Sequence, residues 1–377
     1  MNFKPYPFER LAELLKDIVP NESFSPSVLT IGEPQFETPM FIQDELKNST
    51  SLLKKYPKTA GENYLRDAQK GFVSRRFGVE LKDSEIIPTF GTREVLFNFP
   101  QFLLFDIKEP TIAFPNPFYQ IYEGSAIASR ANIIHLNLTK EGDFKPDVTD
   151  SRLKDADLVI LNSPSNPTTT FLDLQELSRW VELALKYDFI LLNDECYSEI
   201  YSDDIPPSVL EASLHVGNKN FKNIVAINSI SKRSSAPGLR SGFIAGDEKI
   251  LSGYLKYRTY VGAASPLPLQ RAASLAWGDD KHVEAARAVY RKNLELARDI
   301  LGVEKSSSTF YVWLEVGDDL EFTQKLFEKK NVKVLPGSYL GREGIGSAYV
   351  RIALVENSEK TKEALKRISD FIKETNR

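Results

Sequence analysis

Short apolar runs alternate with longer amphipathic stretches between Asp83 and Gly246, and this alternation restricts the fold more than any other feature of the sequence. An amphipathic helix that connects two strands places them parallel in one sheet, with both faces covered. The candidate strands are Ile86–Thr89, Thr111–Phe114, Leu158–Asn162, Phe189–Asn193, Ile224–Asn228 and Ser241–Ala245. We therefore expect an α/β protein with a mostly parallel sheet, whose ligands bind beyond the carboxyl ends of the strands.

The pattern changes after Pro266, and at 377 residues the chain is longer than one ordinary hydrophobic core organises. A long helical stretch is predicted after Pro266 and Pro268, through Trp277 to Leu301. Further apolar runs and a final amphipathic helix follow, at Phe310–Val316, Val332–Leu335, Tyr349–Val355 and Ser358–Ile372. We expect a large domain of residues 46–265, and a smaller α+β domain formed by residues 1–45 together with 266–377.

Charge and cysteine usage exclude several classes of protein. A formal net charge of -4 argues against a general nucleic-acid binder. No stretch of about 18 apolar residues occurs, and Met1–Glu9 does not resemble a signal peptide, so no membrane partner is expected. Cys196 is the single cysteine, which excludes a disulfide within the chain and a multi-cysteine metal site. We expect a cytoplasmic protein without a metal ion.

The segment that begins Ser229-Ile-Ser231-Lys232 is the most informative for chemistry. It follows an apolar strand directly, and Arg240 comes eight residues after the lysine, beside two glycines. A lone lysine is usually solvated. At the end of a strand and near other cations, however, the ammonium form is disfavoured and the free amine can attack a carbonyl. Lys232 is therefore a candidate for Schiff-base chemistry.

Two further segments also follow apolar strands. Asp194 ends one strand, with Tyr197 three residues beyond it, and Asn166 lies in a Ser-Pro-Ser-Asn-Pro-Thr run after another. Taken alone, Asp194 could be a helix cap or a solvated acid, and the run around Asn166 could be a simple turn. Cys196 is expected to point away from Asp194 and Tyr197 and to serve in packing, because side chains alternate along the chain.

Four other short segments complete the set of candidates. Gly91-Thr92-Arg93 lies between a strand and an amphipathic helix, where backbone N–H groups face a bound anion, although a turn and cap would look the same. Tyr119 stands in an aromatic cluster that could be core. The remaining candidates are Tyr56 in Lys-Tyr-Pro-Lys, Gly32 in Ile-Gly-Glu-Pro, and Arg351 in Tyr-Val-Arg-Ile.

Together these segments closely resemble the class I/II aminotransferases of fold type I, and the resemblance runs along nearly the whole chain. It implies a seven-stranded sheet in the large domain, pyridoxal 5'-phosphate as cofactor, and a homodimer with shared active sites. Thr169 stands where this family usually has glycine, which puts the path of that loop in question.

The resemblance also implies a role for each candidate. Lys232 would form the Schiff base and carry the proton, Asp194 would bind the pyridine nitrogen, and Tyr197 and Asn166 the phenolic oxygen. Tyr119 would stack on the ring, and Tyr56 would reach the phosphate of the neighbouring subunit. The phosphate would be held by Gly91, Thr92, Arg93, Ser229, Ser231 and Arg240. The substrate would meet Gly32, Asn166 and Arg351, whose guanidinium would clamp the α-carboxylate through two donors.

Within the family, Pro-Thr-Phe-Gly-Thr-Arg-Glu resembles the succinyldiaminopimelate aminotransferases of bacterial lysine and cell-wall synthesis. The expected reaction moves an amino group from that donor, or another amino acid, to 2-oxoglutarate. An aspartate or aromatic aminotransferase, or a carbon–sulfur lyase on the same fold, would use the same cofactor residues. A non-enzymatic regulator fused to a DNA-binding head is disfavoured, because the Gly32 segment lies within a few tens of residues of the first residue.

Overall fold

A computed structural model describes residues 3–304 and 306–375, so Met1, Asn2, Lys305, Asn376 and Arg377 lie outside the described residues. The helices are α1 (Pro7–Leu15), α2 (Met40–Asn48), α3 (Asn63–Phe77), α4 (Thr92–Leu103), α5 (Ile121–Ser129), α6 (Leu174–Tyr187), α7 (Val209–His215), α8 (Ile230–Arg233), α9 (Glu248–Val261), α10 (Leu267–Gly278), α11 (Lys281–Leu301), α12 (Asp319–Lys330) and α13 (Ser358–Thr375). The strands are β1 (Ser27–Val28), β2 (Ile86–Thr89), β3 (Thr111–Asn116), β4 (Asn132–Asn137), β5 (Leu158–Asn162), β6 (Ile190–Asp194), β7 (Ile224–Ser229), β8 (Gly242–Gly246), β9 (Tyr311–Glu315), β10 (Val332–Lys333), β11 (Leu335–Pro336) and β12 (Tyr349–Ala353).

The large sheet has seven strands in the order β2-β8-β7-β6-β5-β3-β4. Strands β3 to β7 run parallel, whereas β8 pairs antiparallel with both β7 and β2. This confirms the predicted mostly parallel α/β fold. Strand β4 was not predicted from the sequence, because it lies at the edge of the sheet and its side chains are only intermittently buried.

Helices cover both faces of this sheet. One face packs against a core that includes Phe72, Trp180 and Trp277, and the other against a core that includes Phe99 and Tyr254. Every residue of β5 and β7 is buried. Such strands read as continuous apolar runs because both of their faces are covered.

A smaller antiparallel sheet has the order β11-β12-β9, and β1 pairs separately with β10. Its core includes Leu294, Val312, Ile352 and Leu365, so α11 and α13 contribute to it. The predicted helical stretch after Pro266 is two helices, α10 and α11, which the structure separates at residues 279–280.

We propose a division into two domains that differs from the predicted boundary at residue 265. The side chains of Ala272 and Trp277 on α10, and that of Ile42 on α2, belong to the same core as Phe72. These contacts favour placing α2 and α10 with the seven-stranded sheet. The small domain then consists of the residues before α2 and those after residue 278.

No helix in residues 3–304 and 306–375 is long and apolar enough to cross a membrane. The same residues contain no cluster of three or more histidine, cysteine or acidic side chains that could hold a metal ion.

Candidate active site

A cleft of about 490 Å³ opens at the carboxyl ends of β5, β6 and β7, where the sequence predicted ligands to bind. Segments from both ends of the chain complete its walls. The predicted site residues that line it are Gly32, Thr92, Arg93, Tyr119, Asn166, Asp194, Tyr197, Ser229, Ser231, Lys232, Arg240 and Arg351.

Lys232 lies in α8, the short helix that follows β7. Its Nζ donates a hydrogen bond to the carbonyl oxygen of Gly32, a residue 200 positions earlier in the sequence. Burial lowers the pKa of Lys232 because the charged ammonium loses its hydration. The geometry therefore provides an amine that is held at the cleft and disposed to be neutral, as a nucleophile toward a carbonyl must be.

Asp194 is the last residue of β6 and is only 4% exposed. Its carboxylate accepts a hydrogen bond from the Tyr122 hydroxyl at 3.0 Å and one from the backbone N–H of Cys196 at 3.2 Å. Burial raises the pKa of this carboxyl group. A buried carboxylate on the cleft wall is suited to pair with a protonated ring nitrogen. Tyr122 was not predicted as a site residue, although it stands three positions after Tyr119.

Tyr197, three residues after Asp194, also lines the cleft. Its hydroxyl lies 2.9 Å from the hydroxyl of Tyr311 on β9. Burial raises the pKa of Tyr197 well above its ordinary value, so its phenol stays protonated at neutral pH. Tyr311 was not predicted as a site residue either, because the sequence around it indicates only a strand of the smaller domain.

Arg351 on β12 is 4% exposed. Its guanidinium donates to the side-chain oxygen of Asn166 at 2.7 Å and to the carbonyl oxygen of Thr30 at 2.6 Å. Its Nε has no hydrogen-bond partner among the described residues. A buried guanidinium with a vacant donor requires an acceptor, and a carboxylate is the acceptor that it binds most strongly.

A cluster of donors surrounds the start of α4. Gly91 has φ 74°, and a Cβ at that position would lie 2.3 Å from Nη2 of Arg240, so any other residue would displace the guanidinium from its present position. The hydroxyls of Ser229 and Ser231 lie 2.8 Å apart. Burial and the neighbouring charge of Arg93 lower the pKa of Arg240. The Arg240 guanidinium, the hydroxyls and a helix N-terminus together are suited to a phosphate dianion.

Cys196 lines this cleft, and its Sγ lies 3.1 Å from Oγ1 of Thr92. The expectation that its side chain points away from the site is therefore wrong. Simple alternation does not hold because the chain leaves β6 at Asp194 and enters a turn. Burial raises the pKa of the thiol well above its ordinary value, which keeps it protonated and unreactive.

Thr169 stands where the class I/II aminotransferases usually have glycine, and it adopts φ 68°. The loop thus keeps a left-handed residue although threonine occupies it. The Thr169 carbonyl oxygen accepts hydrogen bonds from the Ser308 hydroxyl at 2.7 Å and the Ser307 hydroxyl at 3.3 Å. These bonds attach the loop that carries Asn166 to the segment preceding β9.

One predicted residue lies away from the cleft, and three residues that were not predicted line it. Tyr56 is fully exposed and does not line this cleft, so within one chain it is not brought to the other candidates. The N-terminal residues Tyr6, Pro7 and Phe8 do line the cleft and were not predicted. No motif marks them, because their position depends on how α1 packs.

These groups match the chemistry of pyridoxal phosphate. The donors around Arg240 suit its phosphate, the carboxylate of Asp194 suits its ring nitrogen, and the Lys232 amine suits its aldehyde. With the seven-stranded sheet, they define a pyridoxal-phosphate-dependent enzyme of fold type I.

Residues 27–368 match the model of the family described as aminotransferase class I and II, and the chain belongs to that family. The crystal structure of aminotransferase AspB from Helicobacter pylori 26695 is 53% identical, with a TM-score of 0.97 over 99% of this chain and 100% of that one. An aminotransferase structure from Neisseria meningitidis Z2491 is 40% identical, with a TM-score of 0.94 over 98% of each chain. The LL-diaminopimelate aminotransferase of Natranaerobius thermophilus is 32% identical over 392 residues, covering 98% of this chain and 97% of the relative. The protein is a pyridoxal-phosphate-dependent aminotransferase.

Proposed function

We propose that this aminotransferase takes its amino group from a diaminopimelate-type donor, N-succinyl-LL-2,6-diaminopimelate or LL-diaminopimelate, and passes it to 2-oxoglutarate. Both donors, and the acceptor, carry a carboxylate far from the reacting carbon. The observation that supports this choice is the guanidinium of Arg93, which lines the cleft in addition to Arg351 and to Arg240 at the phosphate site. The relative from Natranaerobius thermophilus named LL-diaminopimelate aminotransferase supports it independently. The reaction would belong to lysine biosynthesis.

Arg93 and Arg351 differ in position along the cleft. Arg351 lies on the small sheet beside Asn166, whereas Nε of Arg93 donates to the Tyr119 hydroxyl at 2.8 Å. Within residues 3–304 and 306–375, neither guanidinium forms an ion pair with a carboxylate of the chain. In this proposal Arg351 binds the α-carboxylate of donor and acceptor in turn, and Arg93 binds the distant carboxylate.

The residues around the ring have separate roles in the proposal. Pyridoxal phosphate supplies an aldehyde for covalent attachment and a ring that accepts electrons from the substrate carbon. Asp194 keeps the ring nitrogen protonated, and Tyr197 and Asn166 donate to the phenolic oxygen. Tyr119 covers the ring, and Gly32 lets its backbone approach closely. Lys232 would hold the aldehyde through its amine. Once the substrate's amino group has displaced it, the freed amine would carry a proton between the substrate Cα and the cofactor carbon.

The phosphate is held in this proposal by Arg240, by the hydroxyls of Ser229, Ser231 and Thr92, and by the backbone from Gly91 to Arg93. Tyr56 completes the same phosphate site from the neighbouring subunit, so the active unit is a homodimer. The full exposure of the Tyr56 side chain agrees with a role outside its own subunit.

A cytoplasmic location stays a prediction from the single cysteine.

A single-turnover experiment with the cofactor-loaded enzyme tests the donor. We expect N-succinyl-LL-2,6-diaminopimelate or LL-diaminopimelate to transfer its amino group to 2-oxoglutarate faster than aspartate or phenylalanine, with glutamate as the measured product. A faster reaction of aspartate or phenylalanine would assign the chain to the aspartate or aromatic alternative. Release of ammonia and pyruvate from a thioether amino acid would assign it to the lyases.

Replacing Arg93 by leucine tests the second carboxylate site. We expect KM for the diaminopimelate-type donor to rise by about tenfold, the effect of losing one charge-assisted hydrogen bond. Phenylalanine, which has no distant carboxylate, serves as the internal control, and its KM should stay near the wild-type value. An equal rise for both donors would contradict the assignment of Arg93.

A further inference from the structure

Tyr311 is a buried residue that lines the cleft. It is the first residue of β9, so it belongs to the small sheet, whereas Lys232 and Tyr197 follow strands of the large one. Its side chain contacts three groups of the proposed site. Each contact concerns a different part of the reaction.

The first contact is the hydrogen bond with Tyr197, whose hydroxyl oxygen is 2.9 Å from that of Tyr311. Two neutral phenols that share one hydrogen bond leave one proton free. When Tyr311 is the donor, the free proton is that of Tyr197. The Tyr197 hydroxyl can then donate a hydrogen bond to another group in the cleft, while its oxygen accepts the hydrogen bond from Tyr311.

The second contact involves Gly32. A Cβ at Gly32 would lie only 1.7 Å from the Tyr311 hydroxyl oxygen, so the absence of a side chain at this position creates the space for Tyr311. The carbonyl oxygen of the same glycine accepts the hydrogen bond from Nζ of Lys232. The Tyr311 hydroxyl therefore packs against the peptide that holds the lysine amine.

The third contact is a stack with Arg351. The guanidinium carbon lies 4.3 Å from the centre of the Tyr311 ring. A cation held over an aromatic face is attracted by the ring electrons, and the flat ring also fixes the plane of the guanidinium. Arg351 also donates to the side-chain oxygen of Asn166 and to the carbonyl oxygen of Thr30, so the ring and the two acceptors together hold the guanidinium.

We propose that Tyr311 is a positioning residue for the transamination. Its hydroxyl donates a hydrogen bond to the Tyr197 hydroxyl, and its ring supports the Arg351 guanidinium. Tyr197 is thereby directed to the phenolic oxygen of the cofactor, and Arg351 to the substrate carboxylate. This inference rests on the proposed roles of Tyr197 and Arg351. It connects the substrate end of the cleft to the cofactor end through one side chain.

The pH titration of the visible absorbance of the bound cofactor tests the hydroxyl. A donor to the phenolic oxygen competes with the proton on the lysine nitrogen, so a weaker donor lets that nitrogen keep its proton to higher pH. We expect Tyr311→Phe to raise the titration midpoint by about half a pH unit or more, as an ordinary hydrogen bond would. The charged or titratable groups that act on Tyr197 and Lys232 are Tyr311, Arg351, Cys196 and, for Lys232, Glu33.

Steady-state kinetics separate the hydroxyl from the ring. Tyr311→Phe keeps the stack on Arg351, so we expect kcat to fall while KM for the donor stays within about twofold of wild type. Tyr311→Leu removes the stack as well, and KM should then rise about fivefold or more. The matched control is Tyr254→Phe, because the buried Tyr254 hydroxyl has no hydrogen-bond partner among the described residues and lies outside the cleft.

The results distinguish this inference from the function on which it rests. If the absorbance of the wild-type enzyme titrates, disappears in Lys232→Ala, and is unchanged in Tyr311→Phe, the role of Tyr311 is overturned and the proposed function stands. If the wild-type absorbance is independent of Lys232, the proposed function fails, and the role of Tyr311 fails with it. A midpoint that rises in Tyr311→Phe and not in Tyr254→Phe supports the inference.

Discussion

At the scale of single residues, Thr169 is under backbone strain that a substitution should relieve. Its φ of 68° is unfavourable for a β-branched side chain, at a cost of roughly 1–2 kcal/mol. Glycine removes that strain and loses roughly 0.5–1 kcal/mol through the greater freedom of its unfolded chain. We therefore expect Thr169→Gly to increase the free energy of unfolding by up to about 1 kcal/mol, measured by urea denaturation.

The adjacent Thr168 provides the control. Its φ is not positive, and its hydroxyl lies 2.8 Å from that of Ser165. Thr168→Gly should therefore decrease the free energy of unfolding. A decrease of similar size in Thr169→Gly would show that the threonine side chain stabilises the loop more than its backbone conformation strains it.

Residues that follow a strand within a recognisable motif could be found from the sequence, and residues that meet across the two domains could not. Lys232, Asp194 and Asn166 each stand after an apolar run, and the structure brings them into one cleft. Tyr311 and Tyr122 carry no local mark, because what places them in the cleft is the contact that each makes with a distant element. The roles of all these residues stay predictions.

At the scale of elements, the start of α4 depends on the absence of a side chain at Gly91. A methyl group there would meet the Arg240 guanidinium at 2.3 Å, and φ 74° is itself unfavourable for alanine. We expect Gly91→Ala to weaken pyridoxal phosphate binding by about tenfold to a hundredfold, the loss of one charge-assisted hydrogen bond. Fluorescence titration of the apoenzyme with the cofactor measures this.

Gly124 on α5 is the matched control for this change. Apart from the backbone of its own helix, a Cβ at Gly124 meets no atom of the described residues within 4 Å, so Gly124→Ala should leave the cofactor dissociation constant unchanged. An equal effect of both substitutions would mean that the loss arises from general destabilisation and not from the position of Arg240.

Elements were predictable where their pattern is strong. The buried central strands read as apolar runs, so β5, β6 and β7 were found within one residue at each end. Strand β4 has partly exposed side chains and gives no such run. The break between α10 and α11 falls at two aspartates, which continue the polar face of the pattern, so the sequence did not separate the helices. The packing of α10 on α3 could not be foreseen, because an apolar face does not specify its partner.

At the scale of the whole molecule, mixing two defective variants tests the homodimer with shared sites. A subunit with Tyr56→Ala retains Lys232, and a subunit with Lys232→Ala retains Tyr56. If Tyr56 acts in the neighbouring subunit, each mixed dimer contains one site with both native residues. Activity after co-refolding should then exceed the mean of the two parent variants.

A second mixture is the control for a general effect of co-refolding on activity. Tyr56→Ala subunits mixed with wild-type subunits should give no more activity than the average of the two. If the first mixture also gives only the average of its parents, Tyr56 acts within its own subunit or not at all.

The hydrogen bond between Arg351 and the carbonyl oxygen of Thr30 joins residues 321 positions apart. During synthesis, Asp194, Lys232 and Arg240 leave the ribosome well before Arg351 does. A nascent chain that has synthesised its large sheet thus contains the residues proposed for the cofactor while it still lacks the arginine proposed for the substrate. Among these residues, Arg351 is the last to become available, so the substrate end of the cleft can form only after release of the last part of the chain.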